Sequence, residues 1–191
     1  MIKAFYADPH LGHANIIKYC NRPFEDIEDM NRTLVANYNE VIGKNDTVLW
    51  LGDAFFKGDQ DIYREILTSM HGHKILLLGN HDQGDTAMAA LGFELVLREA
   101  VMCIAGVKCR LNHFPYKGHP QYEKPDPFAD KRPQRNPGEI LIHGHSHNTV
   151  KVTGPNSISA GVDAWDFRPA MYEEMEQLVQ YVAQAQQLSG A

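Results

Sequence analysis

Residues 74–82, KILLLGNHD, place four apolar residues in a row directly before a glycine and three polar residues. A short run that is almost entirely apolar is typical of a strand buried on both faces, as in parallel sheets. The polar residues stand at the carboxyl end of this strand, and in α/β sheets that edge is where ligands bind. The stretch therefore predicts a buried strand that delivers Asn80, His81 and Asp82 to a functional loop.

The same arrangement recurs in four other stretches, in each of which an apolar strand ends and an aspartate or histidine follows. They are AFYADPH (4–10), VLWLGD (48–53), CRLNHF (109–114) and ILIHGHSH (140–147). Helical spacing of apolar residues is found between and after these strands, at 29–42, 61–70, 85–91 and 169–187. Residues 94–104 and 107–114 are predicted to form one hairpin around Ala105-Gly106. The alternation predicts an α/β fold with polar side chains from five strands at one sheet edge.

The size and charge of the chain restrict the class of protein. A length of 191 residues suits one domain with a substantial core, and we expect a single domain over residues 1–191. No apolar run approaches the roughly 20 residues that cross a bilayer, and MIKAFYADPH lacks a signal-peptide core. We therefore expect a cytoplasmic protein that binds no membrane. The net charge of −6 disfavours extended binding to nucleic acid, and the oligomeric state is left open.

The polar residues at the strand ends have the chemistry of a metal centre. Imidazole and carboxylate groups without thiolates favour two divalent ions of manganese, or alternatively of iron, zinc, nickel or cobalt. Seven candidate ligands are too many for one tetrahedral ion, but they suit two ions that share a bridging carboxylate. The candidates are Asp8, His10, Asp53, Asn80, His113, His145 and His147.

Taken in order, these motifs resemble those of the calcineurin-like metallophosphoesterase superfamily. The matching motifs are Asp8-x-His10, Gly52-Asp53, Gly79-Asn80-His81-Asp82, His113 and Gly144-His145-Ser146-His147, which span residues 8–147. Two further stretches, HLGHANIIKYCNRPF (10–24) and VDAWDFRP (162–169), resemble a subgroup of small bacterial and phage phosphoesterases. The resemblance implies an α/β fold of two packed mixed β-sheets flanked by helices.

The resemblance also implies a role for each residue of the centre. One metal would be held by Asp8, His10, Asp53 and His147, and the other by Asp53, Asn80, His113 and His145. Asp53 would bridge the two ions, and a hydroxide between the ions would attack phosphorus directly. His81 would stabilise the transition state or protonate the leaving oxygen, with Asp82 orienting its ring.

Residues around this centre allow two interpretations each. His13 and Asn15 either contact a bound phosphate or cap the next helix. The proline-rich segment at about 115–138 is a flap that either forms a solvated surface or closes over substrate. In the second interpretation Lys117 and Tyr122 bind the substrate. His71 and His73 superficially resemble a ligand pair, but they lie at the opposite edge of the sheet and are interpreted as structural.

The function that the sequence indicates is hydrolysis of a small phosphoester. We expect a phosphodiester or nucleotide substrate, because a histidine that can protonate a poor leaving group is present and the flap adds cations. Alternatives are a phosphomonoesterase, a nuclease, and a metal-binding scaffold without catalysis. A nuclease would require a basic groove that contains aromatic residues. The intact ligand set argues against the scaffold.

Overall fold

Two five-stranded mixed β-sheets packed against each other form the framework of the protein. The structure, a computed structural model, describes residues 1–56, 58–118 and 126–189. The first sheet, in spatial order, contains β10 (Ala170–Met171), β1 (Ile2–Tyr6), β2 (Thr47–Trp50), β3 (His73–Leu77) and β4 (Leu95–Leu97). The second contains β5 (Glu99–Ile104), β6 (Val107–Asn112), β7 (Glu139–His143), β9 (Ser157–Ser159) and β8 (Val152–Gly154).

Within the described ranges five α-helices accompany the sheets, and the α/β fold with two packed mixed sheets is confirmed. The helices are α1 (Ala14–Tyr19), α2 (Ile27–Val41), α3 (Gln60–Ser69), α4 (Asp85–Leu91) and α5 (Tyr172–Ser189). None of the helices in the described ranges combines the length and the apolar character that crossing a bilayer requires.

The central strands β1 and β2 of the first sheet are buried on both faces over most of their length, as their apolar sequences predict. Tyr6 and Trp50 contribute to a core shared with helices α1 to α4, and their rings meet edge to face at 4.7 Å. The alternate residues Phe5 and Leu49 contribute to a second core, which includes Ile142 of the second sheet. Because successive side chains of a strand point to opposite faces, one apolar run supplies both cores.

The parallel strands bring the predicted ligand-bearing ends to one edge. β1, β2 and β3 are parallel neighbours, and so are β6 and β7 in the second sheet. The two sheets are joined at this edge by hydrogen bonds between the loops, such as that from the Ala7 amide to the Ala160 carbonyl at 3.1 Å. The loops after five strands therefore converge.

The predicted hairpin differs from the structure in one arm. Its turn is confirmed, since Ala105 (φ 50°) and Gly106 (φ 79°) adopt the two left-handed conformations of a tight turn between β5 and β6. The first arm, however, is divided at Arg98. Residues before it form β4, parallel to β3 in the first sheet, and residues after it form β5 in the second sheet. Both halves have strand-like sequences, so the change of sheet leaves no local signal.

The flap packs against the end of the second sheet in the parts that the structure describes. The Arg132 guanidinium donates to Asp126 Oδ2 at 2.6 Å and to the Pro115 carbonyl at 2.9 Å. The Phe128 ring lies 5.2 Å from that of His145. Tyr122 falls within 119–125, outside the described residues, so its proposed role stays a prediction.

Candidate metal centre

Asp53 lies at the middle of the predicted centre. Its carboxylate oxygen Oδ2 is 3.5 Å from His10 Nε2 and 3.4 Å from His113 Nε2. One oxygen is thus shared by imidazoles from two different loops, and the side chain is almost fully buried. This is the position that a carboxylate bridging two cations requires.

Two groups of ligand atoms lie on either side of Asp53. In the first, atoms of Asp8, His10 and His147 lie within 4.8 Å of one another. In the second, Asp53 is joined by His113 and His145 under the same limit. Asn80 belongs with this second group, because its Oδ1 is 3.0 Å from His113 Nε2 and 2.8 Å from His145 Nδ1. The structure brings all seven predicted ligands together.

Two buried nitrogens of the centre lack a hydrogen-bond partner among the described residues, and other polar atoms crowd together. Both ring nitrogens of His10 are buried without a hydrogen bond. His113 Nε2 and His145 Nδ1 face each other at 3.2 Å, and both also face the Asn80 carbonyl oxygen. Unsatisfied buried polar groups are costly, and lone pairs crowded in this way are satisfied by a cation. The donor set therefore fits divalent metal ions.

The backbone of the centre is held in an uncommon conformation. Five of the seven predicted ligands have positive φ values, from 47° to 68°. Such values are uncommon for residues other than glycine, and they concentrate at functional sites where the surrounding structure enforces them. The five are Asp8, His10, Asp53, His145 and His147.

Glycines next to the ligands allow the loops to approach closely. A Cβ atom on Gly144 would lie 2.7 Å from Asp8 Oδ2, and one on Gly79 would lie 2.5 Å from the Asp53 amide nitrogen. Real Cβ atoms do not approach other atoms this closely. The glycines of the Gly-Asn-His-Asp and Gly-His-x-His motifs are thus required by packing within the centre.

Replacing Gly79 with alanine is expected to displace Asp53 and weaken metal binding about 10- to 100-fold. The measurement is titration of the metal-free protein with manganese. Gly43→Ala is the matched control, because its Cβ would meet only the carboxylate of Asp46, at 3.3 Å. Equal affinities of the two variants would contradict the steric explanation.

Two of the predicted ligand imidazoles are oriented through one ring nitrogen. His113 Nδ1 is 2.8 Å from the Leu51 carbonyl, and His147 Nδ1 is 2.9 Å from Asp163 Oδ2. In His113 this contact leaves Nε2 facing Asp53 Oδ2, at 3.4 Å. Metal-binding histidines are commonly fixed in this way, which also sets the tautomer.

Arg22 and Asp163 are residues that the motif reasoning missed. Arg22 donates to both oxygens of Asp163, at 2.8 and 2.9 Å, and to the backbone carbonyls of Asp8 at 2.8 Å and Pro9 at 3.0 Å. One buried guanidinium therefore fixes the Asp8 loop and, through Asp163, the His147 ring. Arg22 lies in the stretch 10–24 and Asp163 in the stretch 162–169, and both stretches resemble the phosphoesterase subgroup. That resemblance is the sequence signal that could have identified the two residues.

Asp82 does not orient the His81 ring, and this expectation is wrong. Its carboxylate accepts hydrogen bonds from the backbone amides of Gly79 (2.8 Å), Asp53 (2.9 Å) and Ala54 (3.1 Å). Asp82 therefore ties the loop after β3 to the loop after β2.

His81 stands at the exposed mouth of the centre. Its amide donates to Asp53 Oδ1 at 2.9 Å, and its ring centroid is 5.2 Å from that of His10. One of its ring nitrogens also lies within 4.8 Å of ligand atoms of His10 and Asp53. An exposed imidazole this close to the ligand groups can reach a bound substrate.

His13 faces the centre, whereas Asn15 does not pair with it. The His13 ring stacks on Phe56 at 3.8 Å, lies 5.4 Å from the His10 ring, and makes no capping hydrogen bond to α1. Its buried Nδ1 has no partner. Asn15 is exposed in the first turn of α1. His13 thus stands at the N-cap position of α1, but its side chain does not cap the helix.

Lys117 lines a cavity beside His145.

His71 and His73 are structural, as expected. The ring of His71 contacts the Ile42 carbonyl at 3.0 Å, and that of His73 contacts Glu94 at 2.6 Å. β3 begins at His73, at the edge opposite the centre.

Burial and close charges shift the pKa values of the ligands in opposite directions. Burial raises the pKa of Asp8 to about 6 and, together with His113, lowers that of His145 to about 3. Burial opposes protonation of His113, but Asp53 and Asp8 raise its pKa to about 9. Asp53, although buried, has its pKa lowered by His113 and His10. Shifts of both signs within one cluster are typical of functional sites.

Relatives of the chain cover nearly its full length. No family model matches it. An uncharacterized protein of Methanocaldococcus jannaschii is 30% identical over 181 residues, which cover 91% of this chain and 89% of that protein. The gene 66 protein of Mycobacterium phage L5 is 29% identical over 202 residues, covering 93% and 94%. The gene 66 protein of Mycobacterium phage D29 is 30% identical over 180 residues, covering 84% and 87%.

A solved structure has the same fold. A protein of unknown function from Aquifex aeolicus aligns with a TM-score of 0.69 over 93% of this chain and all of that chain. The sequence identity is 24%, so this likeness concerns the fold alone.

Proposed function

We propose that this chain, which belongs to the family of the Methanocaldococcus jannaschii protein and the mycobacteriophage gene 66 proteins, is a phosphoesterase that uses two divalent metal ions. The observation that carries the proposal is the shared oxygen of Asp53, which lies between imidazoles of two ligand groups. The exposed imidazole of His81, beside the Asp53 carboxylate, supplies the proton donor of the proposed hydrolytic site. The proposal agrees with the resemblance to the calcineurin-like metallophosphoesterases.

The ligand set divides between the two ions as follows. Asp8, His10 and His147 would hold one ion, Asn80, His113 and His145 would hold the other, and Asp53 would contribute to both. When bound, two such ions supply activation of water and neutralisation of the phosphoryl oxygens. Manganese is the first candidate, and the same donor atoms accept iron, zinc, nickel or cobalt.

The residues of the chain fix the reacting groups. Asp82 holds the loops that carry Asp53 and Asn80. Arg22 holds the loop that carries Asp8 and, through Asp163, the ring of His147. His81 donates a proton to the oxygen that leaves the phosphorus. Its exposure allows contact with a substrate at the mouth, while the ligands themselves are mostly buried.

The experiment that tests the proposal is hydrolysis by metal-stripped protein to which single metals are added back. Bis-p-nitrophenyl phosphate and p-nitrophenyl phosphate are the paired diester and monoester substrates. We expect no turnover without metal and restored turnover with manganese, with the diester preferred. Clear preference for the monoester would overturn the substrate assignment. Absence of turnover in protein that binds two ions per chain would favour a metal-binding scaffold.

Replacing His81 with alanine is expected to lower kcat by about 10²- to 10⁴-fold without loss of bound metal. The loss should be larger for diphenyl phosphate than for bis-p-nitrophenyl phosphate, because phenolate is the poorer leaving group and needs the proton more. Metal content and turnover are measured on the same preparations. His73→Ala is the control, an exposed histidine at the opposite edge that contacts Glu94. Equal losses with both substrates would exclude His81 as the proton donor.

A further inference from the structure

A cavity of about 300 Å³ opens beside the candidate metal centre, on the side of His145. The walls include an aromatic residue, two cations and three polar side chains: Tyr116, Lys117, Arg135, Ser146, Asn148 and Thr153. Since His145 is both a cavity wall and a predicted ligand, a molecule bound at the centre can extend into the cavity.

The charge of the cavity is opposite to that of the chain. Lys117 and Arg135 line it, and none of its described lining residues is acidic. Neither cation forms an ion pair with a carboxylate among the residues that the structure describes. Within the described ranges these two cations therefore have no carboxylate counterpart, in a chain whose net charge is −6, so the cavity favours an anion.

Neighbouring contacts position these groups without neutralising them. The Arg135 guanidinium lies 4.6 Å from the centre of the Tyr116 ring and donates one hydrogen bond, to Asn156 at 2.9 Å. Asn148 Nδ2 donates to Ser146 Oγ at 2.9 Å, which leaves the Ser146 hydroxyl proton available. A guanidinium, an ammonium and a hydroxyl donor together match the several oxygens of a phosphate group.

We infer that this cavity binds a second phosphate of the substrate, separate from the phosphoester held at the metal centre. The inference rests on the proposed function and narrows it to substrates that carry two phosphates, such as phosphorylated nucleotides. Lys117 and Arg135 recognise the second phosphate, and they thereby determine specificity.

The test is calorimetric titration of manganese-loaded protein with adenosine 5′-monophosphate, adenosine 5′-diphosphate and adenosine 3′,5′-bisphosphate. We expect at least one of the two doubly phosphorylated nucleotides to bind about tenfold or more tightly than the monophosphate. In the Lys117→Gln/Arg135→Gln double variant this advantage should fall to about twofold or less.

The matched control is the Lys18→Gln/Lys44→Gln double variant, which removes the same charge from two exposed positions outside the cavity. This control should bind the doubly phosphorylated nucleotide as much more tightly than the monophosphate as the wild type does. An advantage that is equal in all three proteins, or absent from the wild type, would overturn the inference. Hydrolysis of bis-p-nitrophenyl phosphate, measured in parallel, tests the proposed function separately, because that substrate has no second phosphate.

Discussion

Replacement of Asp53 by asparagine is expected to reduce hydrolysis about a thousandfold or more and to lower the content of bound metal. Asparagine keeps the shape of the side chain but removes its negative charge, which lies 3.4–3.5 Å from His113 and His10. At an effective dielectric constant of about 20, two opposite unit charges about 4 Å apart attract by roughly 4 kcal/mol. The variant loses an attraction of this size between residue 53 and a bound cation. That free energy corresponds to about three orders of magnitude.

The measurement combines elemental analysis of bound metal with turnover of bis-p-nitrophenyl phosphate, and circular dichroism verifies the fold. Asp46→Asn is the matched control, because Asp46 accepts a backbone hydrogen bond from Gly43 at the opposite end of β2. It should change neither metal content nor turnover. An Asp53→Asn protein that retains two ions and wild-type turnover would exclude Asp53 as the shared ligand.

Replacement of Arg22 by methionine is expected to have the second large effect, on folding and on metal affinity together. The side chains of Arg22 and Asp163 are 0% and 4% exposed. Removing the cation leaves the buried Asp163 carboxylate with the His147 ring but without its guanidinium partner, which costs about 3–5 kcal/mol of unfolding free energy. It also releases the backbone at Asp8 and the ring of His147, and we expect metal affinity to fall about 10- to 100-fold.

Chemical denaturation and manganese titration measure the two effects of Arg22→Met. Arg168→Met is the matched control, because Arg168 also forms a two-pronged ion pair, with Glu174, but at a half-exposed position. Exposed ion pairs contribute about 0–1 kcal/mol to the free energy of unfolding, so Arg168→Met should lose little stability. Its metal affinity should also be unchanged, because Arg168 contacts Pro169 and Glu174 rather than a predicted ligand. Arg22→Lys separates charge from geometry, since lysine cannot reproduce the fork of the guanidinium. Unchanged metal affinity in both Arg22 variants would contradict the positioning role.

Much of the fold was readable from local patterns. Apolar runs such as residues 74–78 predicted buried strands, and the helical spacing of apolar residues predicted α2 to α5. The start of the last helix was predicted wrongly, because residues 170–171 form β10 at the edge of the first sheet. The change of sheet at Arg98 was not readable, because pairing partners are chosen by tertiary packing and both β4 and β5 have strand-like sequences.

Some residues of the candidate site were likewise predictable from local sequence, and others were not. The motifs predicted Asp8, Asp53 and His145 as ligands, since a strand followed by a polar residue specifies both the residue type and its place at the sheet edge. The pairing of Arg22 with Asp163 was not predictable, because 141 positions separate them. Nor did the sequence reveal that the Asp82 carboxylate binds loop amides.

By itself, the sequence determined the chemistry of this protein: imidazole, carboxylate and amide groups at the ends of five strands. Strand periodicity and turn residues act over a few positions, so they are legible along the chain. Only the tertiary structure decided which of these groups meet. Asp53 lies between His10 and His113 because parallel strands of two packed sheets end at one edge. Distances between residues far apart in sequence depend on that packing, which no local pattern encodes.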